Sequence, residues 1–132
     1  MSQYLQRQID DLKKRILTLS AVVEESFHQA IHSLEEMNTS LAQTVIERDA
    51  EVNEMEVDLE EECLKILALH QPVAIDLRFI VSVLKINNDL ERISDLSVNI
   101  AQRTRGLAAL KPAPIPFALF EMAAKVESML KK

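Results

Sequence analysis

The residues able to end a helix are few in this chain, and they are clustered. Across 132 residues there is one glycine, Gly106, and four prolines, three of them within Lys111-Pro112-Ala113-Pro114-Ile115-Pro116. Proline lacks an amide hydrogen and disfavours helix at the residue before it. Pro72 is therefore the one proline break ahead of that run. With Asn38-Thr39-Ser40 as a second interruption, the chain divides into three stretches of similar length. Each would be on the order of 45–50 Å long as a helix.

Each stretch has helical periodicity. In the first, about residues 4–37, Leu5, Ile9, Leu12, Ile16, Leu19 and Val23 alternate by four and three. That is a coiled-coil-like seam, and it continues through Phe27, Ala30, Ile31 and Leu34 as the stripe drifts. Ser40 with Gln43 predicts a capping box for the second helix. That helix, about 41–70, turns Leu41, Val45, Val52, Met55, Leu59, Cys63 and Ile66 inward. It carries nine acidic residues against only Arg48 and Lys65. The acidic row, Glu56 among it, reads as a solvated face or a docking surface, with Arg48 beside the apolar stripe and Cys63 as inert core. The third helix, about 73–105, is predicted to stop at Arg103, Arg105 and Gly106, cations followed by glycine.

Matched lengths and short turns predict an all-α, antiparallel up-down-up three-helix bundle over 1–110. Residues 111–116 read as a stiff Pro-rich connector. Residues 117–132 restart a helical pattern at Phe120, Ala124 and Met129, as a short fourth helix. That helix either begins a second, incomplete repeat or docks on another copy of the chain.

Composition narrows the function classes. Apolar residues at 48% and charged residues at 27% describe a globular chain rather than a disordered one. A net charge of −6 opposes nonspecific nucleic-acid or anionic-membrane binding. Tyr4 and four phenylalanines offer little for base stacking. The N-terminus has no apolar signal core, and no window approaches the roughly 20 apolar residues of a spanning helix. The single Cys63 offers no intrachain disulfide. The expectation is a soluble cytoplasmic protein.

The third helix carries two rows. Phe79, Val83, Ile86, Leu90, Ile93 and Ile100 form an apolar stripe. The other side begins with Leu77, Val81 and Leu84, then turns to Asn88, Glu91, Asp95, Asn99 and Gln102. A simple bundle helix needs one buried stripe. Leu77, Val81 and Leu84 therefore form a partner or oligomer contact, or else they fill the core at a different helical phase. Glu91 and Asp95, at i and i+4, hold two carboxylates about 5–6 Å apart at Cβ. A cation or a shared proton relieves their repulsion, and oxygen ligands suit magnesium, calcium, manganese or iron. Two ligands do not fill such a shell, so Asn88, Asn99, Asp49 or a second protomer would have to help. The bland reading is a solvated charge pair with Arg92. His28 and His32 have metal-pair spacing but lie opposite the apolar stripe, so they read as solvent-facing, and His70 as a half-buried helix-end residue.

Val22-Val23-Glu24-Glu25-Ser26-Phe27, Val45-Ile46-Glu47-Arg48-Asp49, Cys63-Leu64-Lys65-Ile66-Leu67-Ala68, Gln71-Pro72-Val73-Ala74-Ile75-Asp76-Leu77-Arg78 and Asp89-Leu90-Glu91-Arg92-Ile93-Ser94-Asp95, in this order, resemble the PhoU phosphate-signalling regulators. The resemblance implies two copies of a three-helix repeat, each with an E/D-x-x-x-D motif that binds metal clusters. It implies a cytoplasmic, commonly oligomeric regulator that restrains phosphate uptake and phosphate-starvation signalling. Its partners would be the ATPase subunit of the phosphate transporter and the sensor histidine kinase, contacted without catalysis. This chain matches the first repeat, so Leu77, Val81 and Leu84 would form a seam with a second repeat or, without it, with another copy of the chain, and Ser94 stands where the family motif usually has glycine.

Two other classes compete. A carboxylate-bridged di-iron enzyme wants Glu-x-x-His pairs on facing helices, and Glu25/His28 is a single match. No histidine pairs with a nucleophile in a triad pattern. A purely structural, oligomerising coiled-coil module fits the heptads of the first helix but leaves Glu91 and Asp95 in line with leucines unexplained.

Overall fold

The computed structural model describes residues 3–110 and 117–130, apart from the side chains of 117 and 118. The expected connector at 111–116 lies outside the described residues. Among them every regular element is a helix: α1 (Gln3–Glu36), α2 (Thr39–His70), α3 (Ala74–Ala108) and α4 (Phe117–Leu130). The first three pack pairwise into the expected bundle, and α4 lies against α1 of its own chain. No described helix is long and apolar enough to cross a membrane.

The breaks have local causes. Met37 takes a left-handed conformation (φ 52°) after the end of α1. Asn38 N–H then reaches back to Ser33 O at 2.9 Å, closing the last turn. The same Asn38 caps α2, its side chain accepting from Leu41 N–H at 3.1 Å. The predicted Ser40 cap is thus displaced by two residues, because Asn38 reaches the free amide first and α2 already includes Thr39. Gln71 (φ 44°) ends α2 ahead of Pro72. At the other end, Gly106 does not stop α3. The helix runs on to Ala108, because Gly106 keeps an ordinary negative φ and nothing forces the chain to turn there.

The core follows the heptads. On α1, Leu5, Ile9, Leu12, Ile16, Leu19, Val23 and Phe27 are buried, as expected. Each fully buried side chain of this kind contributes roughly 1.5–3 kcal/mol of hydrophobic stabilisation. On α2 the buried positions are Ala42, Val45, Val52, Glu56, Leu59, Cys63 and Ile66. On α3 they are Ile80, Val83, Asn87, Leu90, Ser94, Ser97, Ile100, Ala101 and Thr104.

The α3 phase differs from the expected stripe. Ile86 is 44% exposed, and Asn87 takes its place inside. Phe79 is half-buried with the Lys13 ammonium 5.5 Å from its ring centroid. The α1–α3 seam closes with a polar layer in which the Ser33 and Thr104 hydroxyls lie 3.2 Å apart.

Among the described side chains of α4 the buried one is Ala123 rather than the expected Ala124, and Met129 is exposed. Leu119, Val126 and Leu130 pack against the core, and Glu127 Oε1 lies 3.5 Å from His28 Nδ1. Within the chain, this helix docks on α1.

Candidate contact and metal site on the α2–α3 face

Heptad steps bring the acidic half of the site together. On α2, Asp49 and Glu56 lie two turns apart in the row that begins at Ala42 and ends at Cys63. Both therefore face α3. Ser94 meets Asp49 there, its hydroxyl donating to Asp49 Oδ1 at 3.2 Å. Asn87 meets the backbone one heptad on, donating from Nδ2 to Glu56 O at 2.9 Å. A glycine at position 94 could not make this bond, so the serine adds a tie between the two helices.

Glu56 is the residue that sequence reasoning missed. It was read as part of a solvated row, yet it is only 4% exposed. Its Oε1 has no hydrogen-bond partner, and neither does Oδ1 of the buried Asn87. Burial pushes the Glu56 carboxyl up to about 7, with Glu91, Asp95 and Asp49 adding repulsion in that order. The Ser94 hydroxyl lowers it in part. That hydroxyl has one proton to share between Asp49 and Glu56. The available signal was spacing: Glu56 falls in register with Ala42, Asp49 and Cys63, where every neighbour in the row is buried or half-buried.

Glu91 and Asp95 are exposed on α3, near enough to Glu56 to act on its charge. Asn88 is exposed beside Glu91, and Asn99 is exposed one turn beyond Asp95. Asp49 is half-buried and also accepts from Asn53 Nδ2 at 3.2 Å. The structure thus groups Asp49, Glu56, Glu91 and Asp95 along one seam and leaves Asn99 at its edge. Among the described residues, no three histidine, cysteine, aspartate or glutamate side chains are gathered closely enough to hold a metal ion. The donor chemistry nevertheless suits a hard cation, being all oxygen, with one buried carboxylate oxygen left without a donor.

The apolar half points outward. Leu77 is 41% exposed and Val81 37% exposed, with Leu84 half-buried. Val81 and Leu84 border a pocket of about 330 Å³ that Asn87, Asn88 and Glu91 line from α3 and Glu60 from α2. The remaining candidates stand elsewhere. His28 and His32 stack on each other at 5.9 Å between ring centroids on the exposed side of α1. His70 is half-buried beside Tyr4. Arg48 Nη1 lies 3.5 Å from Gln29 Oε1 and 3.7 Å from Glu25 Oε1.

Fold and face together define a three-helix bundle with one surface, apolar at one end and acidic at the other, left open. The PhoU domain matches residues 16–104, and the chain belongs to that family. It is 37% identical over 126 residues to the phosphate-specific transport system accessory protein PhoU homolog 1 of Thermotoga maritima, covering 96% of this chain and 52% of that protein. The homolog from Pseudomonas aeruginosa is 39% identical over 103 residues, 78% of this chain and 43% of that one. The crystal structure of PhoU from Pseudomonas aeruginosa superposes with a TM-score of 0.89 at 33% identity, covering 96% of this chain and 61% of that chain. The phosphate transport system regulatory protein PhoU from Streptococcus pneumoniae gives 0.83 at 28% identity, covering 96% and 59%. The chain spans about half the length of the curated relatives it matches.

Proposed function

We propose that this chain is a non-enzymatic, cytoplasmic regulator of phosphate homeostasis. It holds down phosphate uptake and phosphate-starvation signalling by contacting the ATPase subunit of the phosphate transporter and the sensor histidine kinase. The observation that carries this reading is the open α2–α3 face, where Leu77 and Val81 stand exposed in line with Glu91. An exposed apolar strip rimmed by polar groups marks an interaction surface. Family membership supplies the pathway, since the relatives are named phosphate-specific transport system accessory proteins. The acidic end of the face takes a hard cation, magnesium, calcium, manganese or iron, on Glu91 and Asp95. Asp49, Asn88 or Asn99 would have to move closer to help, or a second copy of the chain completes the shell.

The test is a quantitative binding assay against the host's transporter ATPase subunit and the cytoplasmic part of its phosphate sensor kinase. A Glu91→Gln/Asp95→Asn protein and a Leu77→Asp/Leu84→Asp protein run beside the wild type. Binding weakened by either variant supports the regulator reading and assigns it to one half of the face. A folded wild-type chain that binds neither partner overturns it. Sedimentation of the same proteins separates partner binding from self-association through the strip.

A further inference from the structure

The pocket between Glu60 and Leu84 has a composition that selects its occupant. Its apolar wall, Val81 and Leu84, accepts an aliphatic stem. Its polar wall is rich in acceptors: the Glu60 and Glu91 carboxylates, and the Asn87 and Asn88 side chains, with Lys85 as the one cation at its edge. Asn87, in the lining, is 5% exposed and its Oδ1 has no donor. Buried acceptors without donors carry a desolvation cost that an incoming donor removes.

A stem with a multi-donor cationic head meets both walls at once. Of the side chains, arginine offers five N–H groups in a planar fork and an apolar stem. With no cation between the copies, a symmetric pairing with a second copy is a poor occupant by charge, because α2 alone carries nine acidic residues against two basic ones. Like charges brought face to face in an interface are disfavoured.

We infer that this pocket receives an arginine from an amphipathic helix of a partner protein, whose leucine-type residues lie along Leu77, Val81 and Leu84. The inference rests on the contact reading above and names the partner's chemistry. The occupied pocket shares Glu91 with the candidate cation site, so cation and arginine compete for it.

The probe is a synthetic amphipathic helical peptide of roughly 18 residues, five turns, with leucines at i, i+4 and i+7 and one arginine a turn beyond. A second peptide replaces that arginine by citrulline, which keeps the shape and removes the charge. Binding to the full chain is measured in EDTA by calorimetry, and nuclear magnetic resonance locates the peptide. The expected result is that the arginine peptide binds about tenfold or more tighter than the citrulline peptide. Its shifts centre on Leu84, Asn87, Asn88 and Glu91. The Glu60→Gln/Glu91→Gln protein, altered at exposed positions and checked for fold by circular dichroism, loses most of that preference.

Equal affinity for the two peptides overturns the inference. So do shifts spread over the acidic face of α2, which mean diffuse electrostatics, or self-association that shields the strip from both peptides. Because neither transporter nor kinase is in the assay, a positive result stands if those proteins fail to bind, and their binding does not rescue a negative one.

Discussion

Replacing Glu56 by glutamine removes a charge from the α2–α3 seam while keeping the side chain's size, and the effect depends on pH with a definite sign. The folded carboxyl is raised from 4.5 to about 7, chiefly by burial and then by Glu91, Asp95 and Asp49. A raised acid favours the folded state while protonated, so its stabilising share is complete below about pH 4.5. That share is lost as the pH climbs through about 7. Over the whole range the loss amounts to roughly 3 kcal/mol. Glutamine does not titrate. In EDTA, the Glu56→Gln protein should exceed the wild type by roughly 2–3 kcal/mol more at pH 8 than at pH 5. Urea unfolding of both proteins across that range measures it, and the difference between them cancels the titrating groups that do not interact with Glu56. A stability gap that stays flat with pH, or a variant less stable than wild type at pH 8, would refute the argument. A divalent cation that neutralises the cluster should shrink the gap by restoring the wild type.

Other substitutions test the frame around the site. Phe27 is fully buried, and Phe27→Ala should cost about 3–5 kcal/mol in thermal or urea unfolding. Met37→Gly should stabilise by about 1 kcal/mol by relieving the left-handed backbone, whereas Asn38→Ala should cost about 1 kcal/mol by uncapping α2. Ser94→Gly should lower stability by about 1–2 kcal/mol, through a lost bond to Asp49 and a weaker helix. Burial, helped by Glu62 and Glu60, pushes the Cys63 thiol up to about 11. Cys63 should therefore resist a thiol reagent such as dithiobis-nitrobenzoate at pH 8 until the chain unfolds. Rapid labelling of the native protein would contradict that placement.

The fold was legible because helix breaks and apolar heptads are local signals. Leu5 through Val23 are apolar at every seam position, so α1 allows only one phase. The phase of α3 was harder to read because polar residues hold four of its buried seam positions, Asn87, Ser94, Ser97 and Thr104. A reading that follows apolar residues turns toward Ile86 and Ile93 and misses that seam by one position. The same bias moved Glu56 to the surface, since an acidic residue within an acidic row looks solvated until its heptad register is counted. Gly106 misled for a different reason. A glycine permits a helix stop without requiring one, and Gly106 keeps a negative φ inside a helix that runs on to Ala108.

The misread phase of α3 and the misplaced Glu56 lie on one interface, and the reason is physical. The N-terminal part of α1 packs with apolar side chains, whose contacts are non-directional. The α2–α3 seam instead carries directed bonds, Asn87 to the Glu56 carbonyl and Ser94 to Asp49, that hold at one register only. Those bonds fix Glu91 and Asp95 relative to Asp49 and Glu56, which no apolar seam would do to the same tolerance. The cost is a buried carboxyl that repels its neighbours at neutral pH. A seam built only for stability would place leucine at that position. Retaining an acid there makes the energy of the seam depend on what neutralises it, whether proton, cation or a partner's basic side chain. The bundle is thereby held together on the α1 side and made responsive on the α2–α3 side, next to the apolar strip that is open for contact.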